Sequence, residues 1–110
     1  MFVAMNRFSV NSERAADFEH AWRTRPSYLD GLPGFVQFAL LKGDNDEYIS
    51  HTTWESRADF ESWTRSEAFR RAHENPIADG ILASHPRASF YEALIVEAGK
   101  PEVDGSTPGD

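Results

Sequence analysis

The residues of this 110-residue chain best suited to chemistry are one histidine, one asparagine and the aromatic side chains that share their segments. Over residues 60–73, Phe60, Trp63, Phe69 and Ala72 recur at helical spacing, and the segment closes on His73. An aromatic wall ending in a single imidazole can line a flat ligand and hold a metal at its centre, which is what a haem asks of a protein. A second reading stays open. A histidine in the last turn of a helix is favoured by the C-terminal dipole alone, and spacing by itself favours that plainer role.

Asn6 interrupts a strand face that otherwise carries Phe2, Ala4, Phe8 and Val10. Burying a carboxamide without partners costs about 1–3 kcal/mol, so something must compensate. Either it bonds nearby backbone or it points an amide donor into a pocket; the residues do not separate the two. Trp63 reads by default as core. Arg25 interrupts the apolar stripe of an earlier helix. Its stem can lie over apolar surface with the guanidinium in water, or the guanidinium can meet a carboxylate ligand. Arg65, Arg70 and Arg71 form a locally basic stretch that suits anionic propionates or simply a solvated face. His20, His51 and His85 show no paired metal-ligand spacing with His73, and no nucleotide-binding glycine pattern or Gly-x-Ser-x-Gly elbow occurs.

The elements that must position these residues follow from periodicity. Residues 2–10 alternate as a strand, and Asn11 or Ser12 can cap a helix with stripe Ala15, Phe18, Trp22 and Leu29, bent near Pro26. Gly31-Leu32-Pro33-Gly34 is turn chemistry. Phe35–Lys42 reads as a strand apolar on both faces, joined through Gly43-Asp44-Asn45-Asp46 to an antiparallel strand over Tyr48–Glu55. Ser56 with Asp59 has the form of a capping box, Ser66 of a second N-cap that restarts or kinks the helix, and Asn75-Pro76 of its end. Residues 76–87 lack periodicity, and Ser89–Glu97 reads as the last strand. The order β-α-β-β-α-β predicts an α+β, ferredoxin-like domain over residues 1–98. The tail over 99–110 is left without structure. Two helices cover one sheet face only, so Val36, Phe38, Leu40 or their alternates call for a second copy of the chain, a homodimer with the two sheets packed together.

Composition narrows the partners. A net charge of −7 disfavours nucleic acid and anionic membranes. The absence of cysteine removes disulfides, thiol catalysis and thiolate-bound metals. No signal-like or membrane-spanning apolar run is present, so the expected setting is cytoplasmic, without a membrane partner.

Asn6-Arg7-Phe8, Phe18, Trp22 and Arg25, Leu32-Pro33-Gly34-Phe35, Leu40-Leu41, Trp54-Glu55-Ser56, Phe60 with Trp63, Ser66 with Phe69, and Ala72-His73 together resemble the antibiotic biosynthesis monooxygenase superfamily. The Asn6, Trp63 and His73 set resembles more narrowly its haem-degrading, IsdG-type branch. The resemblance spans about residues 2–97 and implies a dimeric α+β barrel. It also implies roles. His73 would be the proximal iron ligand, Asn6 the distal hydrogen-bond donor, Trp63 the wall that distorts the porphyrin, and Arg25 a further haem contact. Haem would serve as substrate and cofactor, with O2 as co-substrate and electrons from a separate reductase or chemical donor, ring opening releasing the iron. With the resemblance, ligation becomes the favoured role of His73. Two other readings compete: a cofactor-independent oxygenase acting on an aromatic polyketide-like substrate, and a non-enzymatic haem carrier.

Overall fold

The computed structural model describes residues 1–74 and 77–99. Strand β1 (Phe2–Ser9) leads through a short 3-10 turn (Ser12–Arg14) into helix α1 (Ala15–Thr24). A hairpin follows, of β2 (Phe35–Lys42) and β3 (Glu47–Trp54). Helices α2 (Arg57–Thr64) and α3 (Glu67–Ala72) come next, and then β4 (Arg87–Glu92). The four strands form one antiparallel sheet in the order β2-β3-β1-β4, the ferredoxin-like arrangement.

Local chemistry explains most boundaries. The hairpin turns at Asn45 and Asp46, both with φ of 58°, a left-handed conformation that Asn and Asp tolerate better than most residues. Ser56 caps α2 by accepting from the Asp59 amide at 3.1 Å, and Ser66 caps α3 by accepting from the Phe69 amide at 3.1 Å. The two helices are therefore separate, with the break at Arg65 and Ser66. Gly34, at φ 76°, lies so close to Asp59 that a Cβ there would stand 2.1 Å from its carboxylate. Only glycine fits that turn.

Several boundaries differ from the sequence expectation: β4 begins at Arg87 rather than Ser89, and α1 begins at Ala15 behind the 3-10 turn, with no side-chain cap from Asn11. The first helix does not bend at Pro26 but stops at Thr24. Arg25 is already extended (φ −73°, ψ 148°), as a residue before proline prefers, and Leu29 enters the core from a non-helical segment. The last strand ends at Glu92, paired with Phe2, rather than at Glu97; Ala93 still donates to the Met1 carbonyl at 2.8 Å, and Leu94, Ile95 and Val96 are exposed. Helix α3 ends at Ala72 with His73 as its C-cap, ahead of Asn75-Pro76, which lie outside the described residues together with 100–110 of the expected tail.

Helices cover one sheet face, and the core beneath them is split. Under α1, Phe8, Val10, Phe18, Tyr48 and Ile81 form one buried cluster; near α2, Phe2, Leu29 and Trp54 form another, with Phe60 and Trp63 packed on it. On the opposite sheet face lie Val3, Met5, Ile49, Ala39, Leu41 and Tyr91, with His51 among them. Phe38 and Leu40 are not on that face. They belong to the helix-covered clusters, and their alternates Ala39 and Leu41 look outward.

Candidate functional site

Asn6 stands at the division between the two clusters. On β1 the same face carries Phe2 and Ala4 on one side of it, packed in the second cluster, and Phe8 on the other, packed in the first. Its cross-strand partners are Ser50 on β3 and Ala88 on β4, both small. The sheet therefore presents a low floor between two aromatic banks. One bank is Phe8, Phe18 and Trp22, with ring centroids 5.4–6.2 Å apart. The other joins Trp54 to Trp63 (5.3 Å, stacked) and Phe60 to both Trp54 and Trp63 (6.0 and 6.1 Å). The carboxamide is half-buried.

His73 closes the second bank from outside. Its ring lies 4.0 Å from Phe69 and 6.3 Å from Trp63, and Phe69 meets Trp63 edge-on at 4.9 Å. Nδ1 is 2.8 Å from the Phe69 carbonyl oxygen. A carbonyl can only accept, so Nδ1 carries a proton, and in the neutral ring the lone pair is on Nε2. The imidazole is exposed and held in the tautomer that a metal needs.

Arg25 sits elsewhere on the same side of the sheet. Its guanidinium carbon is 4.6 Å from the Trp22 ring centre and 4.9 Å from that of Phe38, and these two rings stack at 5.7 Å where the clusters meet over β2. It stacks on neither Trp63 nor His73. The guanidinium is partly buried, which lowers its pKa from the ordinary value through desolvation, and its Nε is buried with no hydrogen-bond partner among the described residues. Trp63 Nε1 is in the same state. The structure thus brings Trp63 and His73 into one aromatic stack, places Asn6 on the floor beside their cluster, and sets Arg25 at the β2 margin. Ser50 as the neighbour of Asn6, and Phe38 as that of Arg25, are pairings that periodicity does not single out. Only the tertiary structure reveals them.

The residues fit a haem. A free imidazole Nε2 would suit the iron, flat apolar walls the porphyrin faces, and a desolvated arginine with an unpartnered Nε an anionic side group. Among the described residues no three or more His, Cys, Asp or Glu side chains gather for a protein-only metal site.

Helix α3, which presents His73, is braced by charge. Hydrogen bonds from Arg70 and then Arg71 draw the Glu67 carboxyl down to about 2 from 4.5. The folded value is depressed, so this support is fully present above pH 4.5 and is lost as pH falls towards 2. All three groups are exposed, so the effect on global stability is small. It is expected as lower protection factors, corrected for the intrinsic pH dependence of exchange, at the amides of residues 70–73 on acidification, a loss of protection that Glu67→Gln shows already at pH 6.

Residues 1–75 match the family described as antibiotic biosynthesis monooxygenase. The chain belongs to that family. A staphylobilin-producing heme oxygenase of Staphylococcus haemolyticus is 34% identical over 79 residues, 68% of this chain and 75% of the relative. A heme-degrading monooxygenase of Shouchella clausii is 45% identical over 69 residues, 57% of this chain and 63% of the relative. Among solved structures, the heme degrader MhuD of Mycobacterium tuberculosis, with two hemes bound in its active site, superposes with a TM-score of 0.73 at 23% identity, covering 89% of this chain and all of that one. The monooxygenase fold is therefore shared along nearly the whole described chain.

Proposed function

We infer that this antibiotic biosynthesis monooxygenase family member is a haem-degrading monooxygenase of the IsdG-type branch, taking haem as both substrate and cofactor. The observation that carries the reading is the His73 imidazole, fixed by the Phe69 carbonyl with Nε2 free beside the Trp63 stack. The haem-degrading relatives support it independently.

When bound, haem supplies the iron at which O2 is activated by external electrons and the ring that is oxidised. The protein supplies shape, orientation and hydrogen bonds. His73 would hold the iron through Nε2, with the Phe69 carbonyl orienting the ring through Nδ1. Trp63, backed by Trp54, would form a rigid wall against the flat ring. Asn6, on the sheet, would offer its carboxamide as a hydrogen-bond donor to a ligand of the iron. Arg25 would meet an anionic side group, which would satisfy its buried Nε. Electrons come from a separate reductase or a chemical donor. No helix among the described residues is long and apolar enough to cross a membrane, and the cytoplasm is the proposed location.

Reconstitution with hemin tests this reading. One stoichiometric Soret band is expected, bleaching under O2 and ascorbate with catalase present and leaving an open-chain tetrapyrrole by mass. A missing band points instead to a cofactor-independent oxygenase, and a band that persists to a haem carrier.

The working unit is proposed to be a homodimer joined through the open sheet face. Val3, Met5, Ile49 and Leu41 give that face an apolar centre. Light scattering should then find two chains per particle for the wild type and one for Leu41→Glu, because an unpaired carboxylate inside such a contact is costly. A monomeric wild type would refute the dimer.

A further inference from the structure

Ser50 is the one polar side chain directly paired with Asn6. The β1–β3 register sets the two opposite each other, and the shared face is established by their neighbours: Phe8 and Tyr48 both pack on Phe18, while Phe2 packs on Phe60 and Trp54 on Trp63. Directly opposed strand residues place their Cβ atoms about 4.5–5.5 Å apart, so a hydroxyl and a carboxamide there project into the same space. Both residues are half-buried. Among the described residues neither side chain is engaged in a hydrogen bond, whereas Ser56 and Ser66 are both committed to helix caps.

The other neighbour of Asn6 is Ala88, which offers no polar atom. The floor is consequently lopsided, with a hydroxyl on the β3 side of the carboxamide and a methyl group on its β4 side. We propose that Ser50 is a second hydrogen-bonding residue of the ligand floor, acting with Asn6 on a small ligand held above it and drawing that ligand to the β3 side. This rests on the haem reading of the site. An uncommitted hydroxyl next to an uncommitted amide is what a small anion or diatomic ligand can use, since the serine rotor can donate wherever the asparagine leaves a lone pair unmet.

The test is azide binding to the ferric haem complex, followed optically, with haem affinity measured separately by Soret titration. Ser50→Ala is expected to weaken azide about 5-fold, the worth of a typical net hydrogen bond, and to leave haem affinity unchanged. Ser50→Thr should hold the wild-type azide affinity, since it restores the hydroxyl. Adding a hydroxyl on the opposite side with Ala88→Ser should tighten azide and, under turnover, shift the ratio of ring-opened isomers in the same direction as Ser50→Ala, away from the β3 side. Equal azide affinity in wild type and Ser50→Ala, with the Soret band intact in both, overturns the role of Ser50 alone. A wild type with no Soret band removes the haem reading and this inference with it.

Discussion

Replacing His73 with alanine is expected to remove the stoichiometric Soret band and to abolish haem turnover while leaving the fold in place. The imidazole is exposed and contributes one side-chain bond, to the Phe69 carbonyl, plus its stacking on Phe69. Exposed substitutions of that kind change stability by roughly 0.5 kcal/mol or less, so circular dichroism and the melting temperature should barely move. The functional loss should be far larger. Removing only the partner that orients a metal ligand costs about 10–100-fold, and this substitution removes the proposed ligand itself. Added imidazole should restore part of the band, because the aromatic walls formed by Trp63 and Phe69 persist. A variant that binds haem with an unchanged spectrum would show that His73 merely caps its helix.

Asn6→Ala is the second large effect, and it should separate binding from turnover. In its proposed role the carboxamide acts on a ligand of the iron rather than on the ring itself, so haem affinity is expected to stay close to wild type. The rate of ring opening should fall about 10²–10³-fold, as for loss of one preorganised donor. Single-turnover bleaching of the preformed complex reads the rate, and a Soret titration reads the affinity. Should the variant lose its cooperative melting transition instead, Asn6 is there to hold the strand. The position between two packed clusters argues against that outcome, since neither cluster needs its side chain.

How much was legible in the sequence depended on the range of the interaction. The caps at Ser56 and Ser66 were readable because a hydroxyl and the amide three residues on are tied by local geometry. The hairpin at Asn45 and Asp46 was readable for the same reason, and so was the ferredoxin-like order from its alternation of periods. Where a boundary is set by a distant partner, local periodicity does not show it. Residues 93–97 have strand-like composition, yet the last pair of β4 is made with Phe2 and the strand stops there. Pro26 was seen, but only the backbone shows that it ends the helix and sends Leu29 into the core by another route.

The candidate site divides along the same line. Residue type and spacing determined that this chain carries an imidazole closing an aromatic helix, a carboxamide on an apolar strand face and an arginine in a helix stripe, because each is a property of one continuous segment. Tertiary structure alone decided that Nδ1 of His73 is held by a carbonyl, that Arg25 lies on Trp22 and Phe38 rather than beside His73, and that Ser50 is the neighbour of Asn6. Those facts depend on strand register and on which helix packs over which pair of strands. They are set by contacts between residues far apart in the chain, to which local periodicity carries no information.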